Sequence, residues 1–133
     1  MPPKAEEKQV RTEQDVVSVR QAVRAWAVEA GFSLIDQTKL VTAASELARN
    51  TLVHGGGGSV RMETVEAGAR RGIRLTFADE GPGIPDMQLA LRDGYTTGTG
   101  LGLGLSGSRR LVNEFEIHSQ PGRGTRVTVV KWR

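Results

Sequence analysis

Residues 42–54 read TAASELARNTLVH, and within them Glu46 and Asn50 stand four positions apart. At about 100° per residue of an α-helix, Leu40, Ala44, Leu47, Ala48, Thr51 and Leu52 fall in one packing arc. Glu46 and Asn50 share another face, beside Thr42 and Val53. An asparagine carbonyl is the kind of oxygen ligand that Mg²⁺ accepts, and that ion is usually held by few protein groups together with phosphates and water. A glutamate one turn away can take the proton of an attacking hydroxyl or water. The same two residues also occur one turn apart on ordinary exposed helices, so the spacing alone defines no site. His54, a further turn along, reads as a cap of the helix C-terminus.

Two other stretches carry residue types suited to a ligand. FADEGPGIPD places Asp79 at the end of an alternating apolar run, followed by Gly81 and Gly83. Such an acid can simply hydrogen-bond its own turn. It can equally accept a bond from an exocyclic amine brought close by the glycines. A carboxylate so placed favours adenine over guanine, because guanine presents a carbonyl there and leaves polar groups unpaired, at roughly 1–3 kcal/mol. GTGLGLGLSGSRR, residues 98–110, then spends Gly98, Gly100, Gly102, Gly104 and Gly107 on positions where glycine loses chain entropy. Glycines entering a helix let backbone N–H groups converge on an anion at the positive end of the helix dipole. Leu101, Leu103 and Leu105 would pin such a loop to the core. A packed Gly/Leu turn without ligand has the same pattern, and the spacing is neither a Walker A loop nor a Rossmann turn.

The elements that must position these groups follow from periodicity. Residues 1–8 read as a flexible tail and QVRT as a short edge strand. Thr12, with Asp15 three residues on, is a capping-box signal for a helix running through Val16, Val19, Val23, Trp26 and Ala27 to Ala30, with Gly31 ending it. A second helix over roughly 36–54 enters HGGGGS. Strands 59–67 and 72–80 alternate around the turn AGARRG, with Ile73, Leu75 and Phe77 on one face. A short helix over 84–94, a helix over 104–113, and strands 114–120 and 124–132 joined by PGRG complete the chain. Residues 9–133 then make a single α/β domain, with one mostly antiparallel sheet and helices on one face.

Composition narrows the class. The 133 residues are 38% hydrophobic and 25% charged, which suits a globular domain. With no cysteine there is no disulfide framework, thiolate metal site or cysteine nucleophile. No run approaches the ~18 apolar residues of a membrane span, and the N-terminus has no apolar signal region, so a cytoplasmic location without membrane contact is expected. The balance of 18 Lys+Arg against 15 Asp+Glu gives +3, suited to an anionic ligand or acidic partner. Aromatics at 5% and dispersed basic residues argue against nucleic acid. Arg123, Arg126, Lys131 and Arg133 read as a solvated strand face.

In order along the chain stand Glu46…Asn50, Asp79-x-Gly81-x-Gly83, Gly98-Thr99-Gly100-Leu101-Gly102-Leu103-Gly104 and Gly122-Arg123-Gly124-Thr125. Over about residues 12–132 this set resembles the GHKL ATPases, with their N box, G1 box, G2 box and final GT. The resemblance implies a two-layer sandwich with a mixed, mostly antiparallel sheet. It implies that Asn50 coordinates Mg²⁺ and that Glu46 is the general base. Asp79 would hold the adenine amino group of ATP with Thr125 nearby through water, and Gly81 and Gly83 would shape the pocket. Thr99, Gly100, Leu101, Gly102, Leu103 and Gly104 would form the lid, the glycines touching phosphates. Thr96, Thr97 and Thr99 would bond phosphates or the lid backbone.

Length argues against the gyrase, Hsp90 and MutL types, and no helical hairpin carries a phosphoacceptor histidine. TEQDVVSVRQ, SELARN, DEGPGIPD, DGYTTGTGLGLGLSGSRRLVNEF and VKWR are similar to the anti-sigma and switch-kinase branch, closest to the RsbT-type switch kinases of the stressosome. VHGGGGS after the N box departs from the pattern. The resemblance implies a Ser/Thr kinase that phosphorylates a STAS-domain scaffold or antagonist and regulates a PP2C-type phosphatase or its regulatory domain. Arg20 and Arg24, one turn apart, would dock an acidic STAS surface, or form a solvated basic face. The alternative is a nucleotide-gated anti-sigma binding protein with little kinase activity.

Overall fold

The computed structural model describes residues 3–83 and 104–133. The helix expected over 84–94 and the Gly/Leu loop through Leu103 lie outside the described residues.

Strand β1 covers Ala5–Val10 and helix α1 covers Glu13–Glu29. Thr12 caps α1 as its sequence implies: its hydroxyl accepts from the Asp15 N–H at 3.0 Å, and the Asp15 carboxylate accepts from the Thr12 N–H at 3.2 Å. Gly31, with φ +83°, turns the chain out of the helix. Helix α2 covers Leu34–Val53 and starts two residues earlier than its apolar periodicity suggested. The cause is Ser33, whose hydroxyl accepts from the Asp36 N–H at 3.2 Å. The hairpin of β2 (Gly58–Ala67) and β3 (Arg70–Asp79) follows. Helix α3 then covers Gly104–Leu111, ahead of β4 (Glu114–Gln120) and β5 (Gly124–Trp132). α3 stops short of residue 113 because the Asn113 N–H pairs with the Val130 carbonyl of β5 at 2.9 Å.

The sheet has five strands in the order β1-β2-β3-β5-β4, and every pairing among the described residues is antiparallel. Val10, Val60, Met62, Ile73, Leu75, Phe77, Val127 and Val129 line its inner face and are buried. Against them pack Val16, Val19, Val23, Trp26 and Ala27 of α1, with Leu40, Ala44, Leu47 and Ala48 of α2. α2 lies between α1 and α3, packed on both. No described helix is long and apolar enough to cross a membrane.

Two expectations need correction. The stretch read as a tail through residue 8 supplies most of β1, paired from Ala5↔Glu63 to Val10↔Gly58. AEEKQV lacks apolar alternation because it is an edge strand blunted by charge. It is held at one end by fully buried Val10 and at the other by Lys4, which lies 4.4 Å from the Trp26 ring and 3.2 Å from Glu29. The second correction is Lys131, which is not on a solvated face. It is 7% exposed and pairs at 3.5 Å with Asp36 in the first turn of α2.

The outer face of the sheet is polar and cross-linked. Arg74 donates to both carboxylate oxygens of Glu63 at 3.1 Å, and Arg61 lies 3.6 Å away. The hydrogen bonds from Arg74, with the charges of Arg74 and Arg61 behind them, hold the Glu63 carboxyl below the ordinary glutamate range. A group with a lowered folded-state pKa adds stability above its unfolded value, about 4.3 for glutamate, and loses it as pH falls through the folded value. Urea titrations at pH 7 and pH 3 are therefore expected to differ less for Glu63→Gln than for the parent protein. An equal difference would remove Glu63 as a source of acid lability.

Candidate functional site

At the end of the sheet where β3 stops, Asp79 continues the inward-facing row of Ile73, Leu75 and Phe77. One of its oxygens, Oδ1, accepts from the Gly81 N–H at 2.9 Å and from the Thr125 N–H at 3.2 Å. Oδ2 has no hydrogen-bond partner among the described residues. The segment after it is fixed as well: the Pro82 carbonyl accepts from the Gly122 N–H at 2.8 Å. Gly83, at φ +78°, runs so close to the Gln120 carbonyl that a Cβ would overlap it. The Asp-Gly-Pro-Gly stretch is thus tied to the β4–β5 turn, where PGRG supplies its partners.

Thr125 contributes through its backbone N–H, while its hydroxyl lies 2.9 Å from the Ser119 hydroxyl. Ser119 in turn donates to the Gly124 carbonyl at 3.2 Å. Nothing in EFEIHSQ marks Ser119 beforehand; it matters only because β4 and β5 set Ser119 opposite Thr125. A cavity of about 250 Å³ opens at this end of the sheet, and Asp79, Ser119, Gln120, Arg123, Thr125 and Arg126 are among its lining residues.

α2 ends beside this point. Gly58, at the start of β2, pairs directly with Asp79, so the C-terminus of α2 and the end of β3 are neighbours. Asn50 and Glu46 step away from it along the helix by about 6 and 12 Å at 1.5 Å per residue. The amphipathic reading put Glu46 on a face apart from the packing arc, yet Glu46 is only 5% exposed, and Ala43 beside it is also buried. α3, packed on the second side of α2, widens the buried arc. The Glu46 carboxylate has no hydrogen-bond partner among the described residues, and neither oxygen is sealed from solvent. Asn50 is half-buried, and its side-chain amide makes no hydrogen bond among the described residues. Its backbone carbonyl accepts from the N–H groups of His54 at 3.0 Å and Gly55 at 3.1 Å, which makes His54 the expected cap.

By residue type, Asp79 can take an amine, the Asn50 carbonyl a hard cation and Glu46 a proton; of the three, Asp79 alone is among the residues that line the cavity. No group of three or more acidic or histidine side chains that could hold a metal exists among the described residues. Gly104 begins α3, while Thr99, Gly100, Leu101, Gly102 and Leu103 lie outside the described residues. Leu105 is 7% exposed in the core, as an anchor of the loop would be. Arg20 and Arg24 are exposed on α1, and Arg24 donates to Gln37 of α2 at 3.4 Å.

Comparison with known proteins shows the family. Residues 35–133 match the model of the histidine kinase-, DNA gyrase B- and HSP90-like ATPases, and the chain belongs to that family. It is 42% identical to the serine/threonine-protein kinase RsbT of Bacillus subtilis (strain 168) over 123 residues, 92% of each chain. It is 29% identical to the anti-sigma F factor of Thermoanaerobacter sp. (strain X514), covering 85% of this chain and 82% of that one. The RsbU and RsbW domains of Rv1364c from Mycobacterium tuberculosis share the fold, with a TM-score of 0.67 at 24% identity. All of this chain but 33% of that longer one is covered. The protein is an ATP-using serine/threonine kinase of the partner-switching type.

The double acceptance at Asp79 Oδ1 makes a stability prediction that is independent of any ligand. Asp79→Ala leaves two backbone N–H groups without their acceptor and is expected to lower unfolding free energy by about 1–3 kcal/mol in urea titrations. Asp79→Asn, which keeps a carbonyl oxygen there, is expected to lose less.

Proposed function

We propose that this kinase uses Mg-ATP to phosphorylate a serine or threonine hydroxyl on a STAS-domain partner, in a cytoplasmic stressosome-type switch that goes on to regulate a PP2C-type phosphatase. The observation that carries the reading is Glu46: a buried carboxylate without a hydrogen-bond partner among the described residues, one helical turn from an asparagine amide that likewise has none among them. A carboxylate in that state in the helix layer fits the role of proton acceptor for an incoming hydroxyl.

In this reading Asp79 Oδ2 accepts the adenine amino group while Oδ1 stays on Gly81 and Thr125. Gly81 and Gly83 shape the base pocket, and Thr99, Gly100, Leu101, Gly102, Leu103 and Gly104 close over the phosphates. Asn50 would offer its side-chain oxygen to Mg²⁺, which would supply charge neutralisation for the phosphates. The partner hydroxyl oxygen forms a bond to the γ-phosphorus as the bond to the β–γ bridging oxygen breaks. Glu46 takes the hydroxyl proton and ADP leaves with the bridging oxygen. Phosphoryl transfer asks mainly for alignment and charge neutralisation, so no covalent enzyme intermediate is needed.

The partner surface in this reading lies on the outer side of the helix hairpin. Arg20 and Arg24 project from α1, and Val28, Leu34 and Ile35 nearby are 57%, 71% and 68% exposed. Apolar side chains flanked by cations suit a partner that offers a hydrophobic hollow with an acidic rim.

Labelled ATP, Mg²⁺ and a STAS protein from the same genome test the reading. Acid-stable label is expected on the STAS protein with the parent kinase and at least 100-fold less with Glu46→Gln, at unchanged ATP affinity. Undiminished label with the variant would remove Glu46 as base. A stable nucleotide-dependent complex without label would make the protein a sequestering module. Asp79→Asn is expected to weaken ATP binding about tenfold or more by calorimetry, with the circular dichroism of the parent retained.

A further inference from the structure

The glycine run after α2 departs from the family's pattern in the sequence, and its first member makes an unusual contact. Gly56 and Gly57 have φ of +73° and +106°, conformations that call for glycine. Gly55 does not: it is absent from the positive-φ positions, so its backbone would accept any L-residue. What forbids a side chain there is Asp79. A Cβ at position 55 would overlap the Asp79 Cγ and lie 2.5 Å from its Cβ and Oδ2.

Neither partner can retreat. Gly55 is held by its N–H on the Asn50 carbonyl at 3.1 Å and by the Gly57 N–H on the Thr51 carbonyl at 2.9 Å. Gly81 packs directly on it from the other side, since a Cβ at 81 would lie 2.7 Å from the Gly55 Cα. Asp79 is held by the two bonds to Oδ1, by pairing with Gly58, and by Gly124, which leaves no room beside the Asp79 carbonyl. A methyl group at 55 can therefore be accommodated only by displacing the Asp79 side chain as a whole, Cβ included, which re-aims its carboxylate.

We infer that Gly55 is a positioning residue for Asp79, and that by lacking a side chain it sets where Oδ2 points and hence which purine the site accepts. This rests on the proposal that Asp79 receives the adenine amino group. It also joins the two ends of the groove, because the Asn50 whose side chain would hold the metal also holds Gly55 through its carbonyl.

The test measures binding of ATP and of purine riboside triphosphate, which lacks the 6-amino group, to the parent protein and Gly55→Ala. The parent is expected to prefer ATP about tenfold or more, the size of one hydrogen bond to a charged acceptor. In Gly55→Ala that ratio is expected to fall to near one while the analogue binds almost as before. Gly56→Asn, at an open left-handed position with nothing within 4 Å, is expected to keep the parent ratio. In an Asp79→Asn background, Gly55→Ala is expected to change the ratio no further.

Equal weakening of both nucleotides, or a preserved ratio, overturns the inference and leaves the role of Asp79 standing. A parent protein with no preference removes the role of Asp79 and the inference with it. Should Gly55→Ala alone not fold, the Gly55→Ala/Asp79→Gly pair decides. A folded pair with the thermal midpoint of Asp79→Gly places the conflict at the Asp79 side chain; an unfolded pair overturns the inference.

Discussion

Two backbone N–H groups from segments far apart in the chain, Gly81 and Thr125, converge on a single oxygen of Asp79. Each would otherwise stand without a partner where the ladder between β3 and β5 runs out. A carboxylate is the strongest acceptor available to a side chain, and one of its oxygens suffices for both donors. This leaves the second oxygen without a hydrogen-bond partner among the described residues. The order of that corner, including the loop after α2 and the β4–β5 turn, depends on this division of labour between two oxygens of one residue.

Helix α2 is packed on two sides, by α1 and by α3. Glu46 on it is only 5% exposed, and its carboxylate has no hydrogen-bond partner among the described residues. The helix is held at its far end by Ser33 and by the ion pair between Asp36 and Lys131. The register of Glu46 and Asn50 against the sheet is therefore set at both ends.

The two faces of the sheet divide structural and functional roles. The inner face carries the apolar core and ends in Asp79. The outer face is closed by its own ion pairs, and by Trp132, whose ring lies 4.4 Å from the Arg70 guanidinium and whose indole N–H donates to Glu114 at 2.7 Å. VKWR at the chain end serves both faces at once. Lys131 points inward to α2 and Trp132 outward over Gly72, as the alternation of a strand requires.

Much was legible from residue order. The capping box at Thr12, the inward row of Ile73, Leu75 and Phe77, and the boundaries of β4 and β5 follow from local rules of capping, alternation and turn chemistry, which need no knowledge of distant neighbours. The four boxes in order likewise identified the family. β1 escaped because an edge strand needs charge more than apolar alternation. The burial of Glu46 and Lys131, the Ser119–Thr125 contact and the pressure of Gly55 on Asp79 were decided only by tertiary structure. Each depends on which element packs alongside and how closely, and no periodicity along one segment records the approach of another.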